Sequence, residues 1–245
     1  MIKLLVTGKS GRMGQAVIEA AAAEPAVEVA ATHDVGLDLD TAIAAADCAI
    51  DFTLPSFTDE LLAAAKRHRT SMVIGTTGHS DQQRAAIAAT AESLPVVFAP
   101  NYSVGVNTLF WLTRHAARIL GNDRFDIEVT EMHHRHKIDA PSGTARGLLD
   151  ILNQETGTCY EDDVLHGRVG NIGARTSKEI GMHSLRGGDV VGDHTVMFAA
   201  DGERVELTHK ASSRLTFAAG AVRAALWLQD QPPGLYSMQD VLGLK

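Results

Sequence analysis

Cysteine is scarce in this chain of 245 residues: only Cys48 and Cys159 occur, and they lie far apart in the sequence. No disulfide framework is expected from two such cysteines, and unpaired, mostly buried thiols fit a reducing compartment. The chain also lacks a long apolar run and a cleavage signal, because the apolar residues 2–6 lead directly into a glycine-containing turn. We therefore expect a cytoplasmic protein.

An excess of basic residues is also missing. The formal net charge is -8, which argues against a nucleic acid or an anionic membrane as partner, since both require a basic surface. An anionic ligand would need a local basic pocket. Hydrophobic residues make up 45% and charged residues 21% of the chain, as in soluble globular proteins, and the length allows one large or two small domains.

A glycine-rich turn follows the short apolar run at residues 4–6. Gly8, Gly11 and Gly14 have the spacing G-x-x-G-x-x-G, and an alanine-rich helical segment extends to residue 24. This is a variant of the dinucleotide fingerprint, in which the backbone approaches a pyrophosphate at a helix N-terminus. A second strand at residues 27–31 leads to Asp34, where a ribose-binding carboxylate belongs. We predict a nucleotide site; the alternative is a glycine turn packed against a sheet, with Asp34 as a loop carboxylate.

Asp34 also bears on the choice of cofactor. A carboxylate at this position hydrogen-bonds the ribose hydroxyls of NAD but repels the 2′-phosphate of NADP. Lys9 and Arg12 are candidates to offset that repulsion. Either could instead be a solvated surface charge, and for Lys9 the two interpretations are equally favoured.

Strands and helices alternate from residue 27 to residue 99. Further strands are predicted at residues 48–53, 72–75 and 96–99, with capping boxes at Ser56/Asp59 and Ser80/Gln83 opening the helices between them. This alternation predicts a Rossmann-type doubly wound parallel sheet, which binds ligands outside the carboxyl ends of its strands. The segments that would line this edge are residues 8–13, Asp34, residues 52–53, 75–77 and 99–102. Ordinary turn-forming hydroxyls are the alternative for Thr76 and Thr77.

The pattern changes after a predicted helix at residues 106–120. Alternating residues at 125–130, 179–185, 190–200 and 203–210 predict strands of a second, α+β domain with a mixed and largely open sheet, and residues 156–178 are expected to form a long loop. Predicted helices at 216–229 and 238–242 return to the first domain. We therefore expect a dinucleotide-binding domain at 1–103 and 215–245 and a substrate-binding and oligomerisation domain at 104–214. One helix cannot cover both faces of the second sheet, so the other face, including some of Val190, Val191, Val196 and Phe198, is expected to be covered in a homo-oligomer.

Residues 131–145 gather three histidines, Lys137 and a helix-opening Ser-Gly-Thr behind a predicted strand. A helix beginning at Ser142 would present backbone N–H groups and its positive dipole end to an anion, and Lys137 adds a full charge, so a small acid could dock there. The histidines have three interpretations: a metal site, satisfied histidines at a strand end, and acid–base catalysis, for which an imidazole is suited near neutral pH. The last is favoured for His133 and His134, which strand parity places on opposite faces, and a structural role is favoured for His136. A metal site is not expected.

Several motifs together resemble those of the bacterial 4-hydroxy-tetrahydrodipicolinate reductase (dihydrodipicolinate reductase) family of lysine and diaminopimelate biosynthesis. The matching segments span nearly the whole chain and are residues 8–14, 50–53, 73–78, 101–105, 131–145 and 209–214. Residues 139–144, Asp-Ala-Pro-Ser-Gly-Thr, are the most specific of them. In that family the dinucleotide hydride reduces a ring carbon–carbon double bond of a cyclic dicarboxylate, which forms when the hydroxylated substrate loses water.

The resemblance implies a role for each matching residue. His133 corresponds to the proton donor and acceptor, Lys137 to the second donor, His134 to a substrate-contacting histidine, and Gly143 with Thr144 to the carboxylate cradle. The implied contacts to NADH or NADPH are Gly8, Lys9, Ser10, Gly11, Arg12, Met13, Asp34, Gly75, Thr76, Thr77, Ala99, Pro100, Asn101 and Tyr102. Members are commonly homotetramers.

Three features depart from the family pattern, and two of them bear on the cofactor. The connection between the second and third strands is short and no arginine follows Asp34, which favours NADH or dual use. Tyr102 stands where phenylalanine is common. A reductase of another small carboxylated imine or aldehyde is an alternative, as is a dinucleotide-sensing binding protein. A sensor would need neither His133 nor Lys137.

Overall fold

Strands and helices alternate through the first hundred residues of the computed structural model, which describes residues 1–244. The elements are β1 (Ile2–Thr7), α1 (Arg12–Ala22), β2 (Val27–His33), α2 (Leu39–Ala44), β3 (Cys48–Asp51), α3 (Pro55–His68), β4 (Ser71–Ile74), α4 (Asp81–Ala91) and β5 (Pro95–Phe98). The last part of the chain adds α8 (Leu215–Leu228), β11 (Gly234–Tyr236) and α9 (Met238–Leu242). Met1–Val104 and the segment that begins at Arg214 form one compact unit.

The sheet of this unit has the strand order β11-β5-β4-β3-β1-β2, and all of its pairings are parallel. Successive residues point to opposite faces, so Leu4 and Val6 pack against α1, α8 and α9, while Leu5 packs against α2, α3 and α4. Helices on both faces bury the central strands β3 and β4 completely, and this is the predicted doubly wound architecture. The order reverses direction between β1 and β3, and such a switch point opens a crevice for ligands at the carboxyl ends of the strands.

Two local predictions for this unit need correction. The capping box at Ser80 is confirmed, with reciprocal hydrogen bonds to Gln83. The box proposed at Ser56 is wrong: α3 has Leu54 as its N-cap without a side-chain cap, because Pro55 already occupies the first helical turn with a suitable φ. The short edge strand β11 was not predicted, since three residues are too few to show a period.

The second unit comprises Gly105–Ser213. Its elements are α5 (Val104–Leu120, whose first residue is assigned to the first unit), β6 (Asp126–His133), α6 (Gly143–Thr156), α7 (Tyr160–Asp163), β7 (Val164–His166), β8 (Ile180–Arg186), β9 (Gly192–Ala200) and β10 (Glu203–Ala211). The sheet order is β10-β9-β6-β8-β7, in which β6 pairs parallel to β8 and antiparallel to β9. The predicted mixed sheet is therefore present, but the expected loop at 156–178 contains α7 and β7.

One face of this sheet carries the core of the second unit. Ile127 and Val129 of β6 pack with Val196 and Phe198 of β9 against apolar residues of α5 and α6. The uncovered face was expected to include some of Val190, Val191, Val196 and Phe198. Val196 and Phe198 are fully buried in the core, so the expectation is wrong for these two, whereas Val190 and Val191 are half-buried. The residues of β9 on the opposite face are the neighbours of Val196 and Phe198, such as Met197.

Two further observations concern the chain as a whole. Cys48 is buried and Cys159 is exposed, so the expectation of two mostly buried thiols holds only for Cys48. Within residues 1–244, no helix is both long and apolar enough to traverse a lipid bilayer.

Candidate functional site

The glycine turn lies between β1 and α1 at the carboxyl edge of the first sheet. Gly8 has φ +64°, a left-handed conformation that glycine adopts without a steric penalty, and its carbonyl accepts a hydrogen bond from Gly11 N at 2.9 Å. A Cβ on Gly14 would lie 2.1 Å from that carbonyl oxygen, so the helix packs directly on the turn. Gly11, the N-cap of α1, makes no side-chain capping bond. The first turn of α1 thus offers backbone donors and a positive dipole end to an anion such as a pyrophosphate.

Asp34 stands immediately after β2, and its Oδ2 accepts a hydrogen bond from Ser10 N at 3.1 Å. This contact joins the predicted ribose carboxylate to the glycine turn. A cleft of about 320 Å³ opens beside them, and His33 stacks on Phe57 at its wall, with ring centroids 5.2 Å apart. The cleft is lined by Gly8, Ser10, Gly11, His33, Asp34, Val35, Phe52, Thr53, Leu54, Ser56 and Phe57.

The remaining predicted residues of the turn differ in exposure. Arg12 is exposed at the start of α1, whereas Lys9 is half-buried. Met13 packs against the core of the unit. The structure thus gathers Gly8, Ser10, Gly11 and Asp34 in one cleft, with Arg12 at the solvent-facing side of the turn.

A buried carboxylate that was not predicted lies at the centre of this edge. Asp51, at the end of β3, is 1% exposed. Its Oδ1 accepts hydrogen bonds from the hydroxyls of Thr7 at 2.6 Å and Thr53 at 2.7 Å, and its Oδ2 accepts one from Thr76 at 2.6 Å. One side chain therefore connects the end of β1 with the segments that follow β3 and β4. An aspartate in an otherwise apolar strand was the available signal for it.

The residues after β4 and β5 that were predicted to contact the cofactor differ in their exposure to solvent. Thr76 is buried and its hydroxyl is engaged by Asp51, whereas Thr77 is exposed. A Cβ on Gly75 would lie 2.1 Å from the Phe52 ring, so a larger residue there would have to displace that ring. After β5, Ala99 is buried, Pro100 is exposed and Asn101 is half-buried.

Tyr102 was predicted as a cofactor contact, but its side chain points into the core. It is 1% exposed, and its hydroxyl lies 2.9 Å from the Ile74 carbonyl oxygen and 3.0 Å from that of Val97. Burial raises the pKa of the Tyr102 phenol well above its usual range. This side chain anchors the loop after β5, so any contact of Tyr102 with a cofactor is restricted to its backbone.

In the second unit, β6 ends in a buried acid–base pair. Alternate residues of this strand are buried. The buried residues are the apolar Ile127 and Val129 in its first half and the ionisable Glu131 and His133 towards its end. The Glu131 side chain is 0% exposed, and its Oε2 lies 2.5 Å from His133 Nδ1. Because a carboxylate only accepts, Nδ1 carries the proton of this bond, which leaves Nε2 for exchange with a substrate. A Cβ on Gly192 would lie 2.9 Å from Nε2, so glycine at 192 leaves room beside it.

Arg186 of β8 completes the surroundings of Glu131. Its Nη1 and Nη2 donate to the two carboxylate oxygens at 2.9 and 2.8 Å, and Ser142 N donates to Oε1 at 3.3 Å. Burial raises the pKa of Glu131, but the hydrogen bonds from His133 and Arg186 outweigh it and lower the pKa to about 2. The carboxylate is therefore ionised at neutral pH.

The loop between β6 and α6 carries the other predicted residues. Lys137 Nζ lies 2.9 Å from Asp139 Oδ1, and the Lys137 side chain is 20% exposed. Burial raises the pKa of Asp139, but the hydrogen bond from Lys137 lowers it overall. His134 is half-buried, with its ring centroid 6.3 Å from that of His136. His136 lies in the exposed loop rather than at the strand end, which contradicts its predicted structural role.

Gly143 and Thr144 form the first turn of α6, as predicted. Their N-cap, Ser142, accepts a hydrogen bond from Ala145 N at 3.1 Å through Oγ, which also lies 3.0 Å from His194 Nε2. Burial and the nearby positive charge of His133 lower the pKa of His194 to about 4, so His194 is neutral at neutral pH. The positive end of α6 thus lies beside a basic loop, an arrangement suited to a small carboxylate.

Sequence reasoning missed Arg186 and His194, which reach this site from β8 and β9. No spacing rule connects them with the motif, because Arg186 is 55 positions from Glu131 and His194 is 52 from Ser142. Within residues 1–244, no group of three or more His, Cys, Asp or Glu side chains is arranged to hold a metal ion.

Two models of one protein family match the two halves of the chain. Residues 2–102 match the family model described as "Dihydrodipicolinate reductase, N-terminus", and residues 105–242 match that described as "Dihydrodipicolinate reductase, C-terminus". The chain is 64% identical over 244 residues to a protein of Akkermansia muciniphila named 4-hydroxy-tetrahydrodipicolinate reductase, a match covering 100% of this chain and 99% of that relative. A protein of the same name from Laribacter hongkongensis is 48% identical over 266 residues, which cover 100% and 99% of the two chains.

Among solved structures, the dipicolinate-bound dihydrodipicolinate reductase from Paenisporosarcina sp. TG-14 superposes with a TM-score of 0.81 at 24% identity, covering 98% of each chain. The two proteins therefore have the same fold. Since both family models match and a relative is 64% identical over the full length, the chain belongs to the dihydrodipicolinate reductase family.

Proposed function

We propose that this protein is an NAD(P)H-dependent reductase that converts 4-hydroxy-tetrahydrodipicolinate, by way of dihydrodipicolinate, to tetrahydrodipicolinate in lysine and diaminopimelate biosynthesis. The observation that carries this proposal is the buried Glu131–His133 pair, which ends the strand directly before a basic loop and the start of α6. An imidazole poised for proton transfer next to an anion site matches the needs of a cyclic dicarboxylate.

In the second unit, the chain's own residues bind the dicarboxylate and move the proton. The positive end of α6 at Gly143 and Thr144, together with His134 and Lys137, holds the substrate carboxylates. Reduction of the ring double bond takes one hydride and one proton. His133 delivers that proton from Nε2, and Lys137 is the second candidate donor of it. Lys137 must exchange its contact with Asp139 for the substrate, which its half-buried position in the loop permits.

In the first unit, the turn from Gly8 to Met13 fits the pyrophosphate of a dinucleotide, and Asp34 fits the adenosine ribose. The support for this fit is the direct packing of Gly14 on the Gly8 carbonyl, which places the N-terminus of α1 against the turn. When bound, the reduced dinucleotide would supply the hydride that adds to one carbon of the double bond, and the proton adds to the other. Residues 75–77 and 99–102 contribute the remaining contacts, with Tyr102 limited to its backbone.

NADH, or NADH and NADPH together, is the proposed cofactor. Asp34 is the charged residue among those that line the cleft, and that set contains no lysine or arginine. A 2′-phosphate would therefore meet a carboxylate, which disfavours it unless Lys9 or Arg12 compensates.

The direct test is to mix the purified protein with NADH or NADPH and the freshly made condensation product of pyruvate and aspartate-semialdehyde, and to follow the absorbance of the reduced cofactor. Substrate-dependent oxidation is expected, with NADH at least as effective as NADPH. Absence of oxidation with both cofactors would overturn the proposal.

Lys137→Ala tests the second donor. We expect turnover to fall by at least ~10²-fold, the usual contribution of a positioned proton donor. Lys178→Ala, which removes an exposed lysine of the same unit, is the matched control and should retain full turnover. Unchanged turnover in Lys137→Ala would show that Lys137 is a surface charge.

A homotetramer in the cytoplasm is the proposed form of the protein. Support comes from the family resemblance and from the sheet face opposite the core of the second unit, where Met132 and Met197 are only partly covered within the single chain. Light scattering after size-exclusion chromatography should give four times the chain mass of 26.1 kDa. A monomer mass would contradict this assembly.

A further inference from the structure

Glu131 is a fully buried carboxylate inside the histidine motif, and the proposed chemistry has not yet used it. Both of its oxygens accept hydrogen bonds: Oε2 faces His133 Nδ1 and Arg186 Nη1, while Oε1 faces Arg186 Nη2 and Ser142 N. The side chain of Ser184, on the neighbouring strand, donates a further hydrogen bond to the carboxylate. A carboxylate has about four lone-pair positions, so every acceptor position is occupied. The side chain is therefore held in one orientation, with no capacity left for a substrate.

The first consequence concerns the imidazole. A carboxylate on Nδ1 fixes the tautomer and the ring orientation, and it favours the protonated ring when a proton is held on Nε2. Arg186 balances the charge of the carboxylate, because a guanidinium binds both oxygens in a planar fork. Glu131 can thus remain ionised in the buried site while His133 gains and loses its proton.

The second consequence concerns the loop from β6 to α6. Ser142 N, which donates to Glu131, belongs to the N-cap of α6. Arg186 Nη2 also donates to the Asp139 carbonyl at 2.6 Å, in the loop that carries Lys137. One ion pair therefore fixes both the proton-transfer group and the start of the helix that forms the anion site.

We propose that Glu131 is the positioning residue of His133 and that Arg186 is the counter-ion of Glu131. This ion pair fixes the position of the His133 imidazole relative to the carboxylate-binding start of α6. The inference rests on the function proposed above for His133. Glu131 contacts no reacting atom and acts through the histidine and the helix start.

Other titratable groups also face the His133 side of the sheet. They are His194 on β9, whose ring centroid is 5.1 Å from that of His133, and His209 on β10, which pairs with His194. Burial is the main reason that the pKa of His194 falls to about 4, and burial also lowers the pKa of His209. Both are neutral near pH 7, so the charges that bear on His133 there come from Glu131, Arg186 and Lys137.

Glu131→Gln in the full-length protein is the decisive variant, because its shape is kept while one acceptor oxygen becomes a donor. Nitrogen NMR of the histidine rings, with His133 assigned by His133→Asn, reports the tautomer and the titration of His133 without any ligand. In the wild type we expect protonated Nδ1 at high pH. In Glu131→Gln we expect loss of that preference and turnover reduced by at least ~10²-fold.

Glu128→Gln is the matched control. Glu128 lies on the same strand but on the opposite face, where it binds Arg168, Arg175 and His183, so it loses a comparable ion network. This variant should keep the tautomer, the titration and the turnover of the wild type. A drop in turnover as large as that of Glu131→Gln would assign both effects to general stability and overturn the proposal.

Arg186→Lys separates the two parts of the proposal, since it keeps the charge but loses the fork. We expect the Nδ1–H tautomer to remain while the KM for the dicarboxylate rises several-fold more than turnover falls. If Glu131→Gln does not fold, Glu131→Asp replaces it, and its shorter carboxylate should weaken the same NMR signature. Wild-type tautomer and titration in the folded variant would overturn the positioning role. A wild type with no activity toward the dicarboxylate would reject the proposed function, and the NMR measurement would still decide the role of Glu131.

Discussion

Replacement of Asp51 by asparagine should weaken the hydrogen-bond network at the carboxyl edge of the first unit's sheet, where the cofactor is proposed to bind. The carboxylate accepts three short hydrogen bonds from Thr7, Thr53 and Thr76, at 2.6, 2.7 and 2.6 Å. Asparagine keeps the shape but exchanges one acceptor oxygen for a donor amide. Whichever way the amide turns, at least one threonine must reverse its hydroxyl or lose its partner.

The magnitude follows from the kind of hydrogen bond. A bond to a charged acceptor contributes about 1.5–3 kcal/mol and one between neutral groups about 0.5–1.5 kcal/mol, so each of the three bonds should weaken by about 1 kcal/mol. The free energy of unfolding should therefore fall by about 3 kcal/mol. The end of β1 and the segments after β3 and β4 then lose their shared anchor, and we expect the dissociation constant for NADH to rise about tenfold, equivalent to about 1.4 kcal/mol.

Urea unfolding followed by circular dichroism gives the first quantity, and a fluorescence titration with NADH gives the second. Asp47→Asn is the matched control, because Asp47 is exposed at the other end of the same strand and accepts one hydrogen bond, from Lys3 N at 2.8 Å. It should change stability by less than about 1 kcal/mol and leave NADH binding unaltered. If Asp51→Asn matched this control in both measurements, the carboxylate would not organise the site.

Three further predictions concern other parts of the molecule. Gly14→Ala should abolish NADH binding in the fluorescence titration, since its Cβ would lie 2.1 Å from the Gly8 carbonyl oxygen. A Cβ on Gly143 would have no atom within 4 Å, so Gly143→Ala should keep the melting temperature and raise only the KM for the dicarboxylate. The pKa of Glu131 is about 2 in the folded protein, against an ordinary value of 4.5 for a glutamate. Its contribution of about 3 kcal/mol to the free energy of unfolding is therefore complete above pH 4.5 and is lost as the pH falls toward 2. Urea unfolding across that range should show a smaller decline of this free energy for Glu131→Gln than for the wild type, and parallel curves would contradict this. Ser142→Ala should lower stability by about 1 kcal/mol through loss of the N-cap of α6, and an unchanged thermal midpoint would refute that value.

The predictable parts of the fold are those in which the pattern of apolar and polar residues indicates whether one or both faces of a strand are buried. Continuous apolar runs such as residues 4–6 indicated strands covered on both faces, and the alternation at 125–130 indicated a strand with one buried face. Alternation cannot say which face a helix will cover, because a shift of one residue exchanges the two faces. For that reason Val196 and Phe198 were assigned to the wrong side. Three-residue strands such as β7 and β11 carry too little pattern to be recognised.

The candidate site was predictable to the extent that it is local. Residues 131–145 contain His133, Lys137 and the start of α6 in one contiguous stretch, and the glycine turn is equally compact. The partners that orient these groups come from distant strands, and their positions follow from the pairing register, which places Glu131 beside Ser184 on one side and His194 on the other. The outward or inward direction of a loop side chain, as for Tyr102, likewise depends on tertiary packing.

Asp51 and Glu131 occupy equivalent positions in their own units, since each is a buried carboxylate at the carboxyl end of a strand and each gathers donors from several segments. Their donors differ in charge. Asp51 is held by neutral hydroxyls, which are sufficient where the task is to fix backbone around an anionic cofactor and no proton moves. In the function proposed above, His133 alternates between neutral and charged forms beside Glu131, and hydroxyl donors alone would not keep the Glu131 carboxylate ionised in both forms. The guanidinium of Arg186 keeps the carboxylate ionised in both states, so the difference between the two donor sets follows from the difference between binding a charge and transferring a proton.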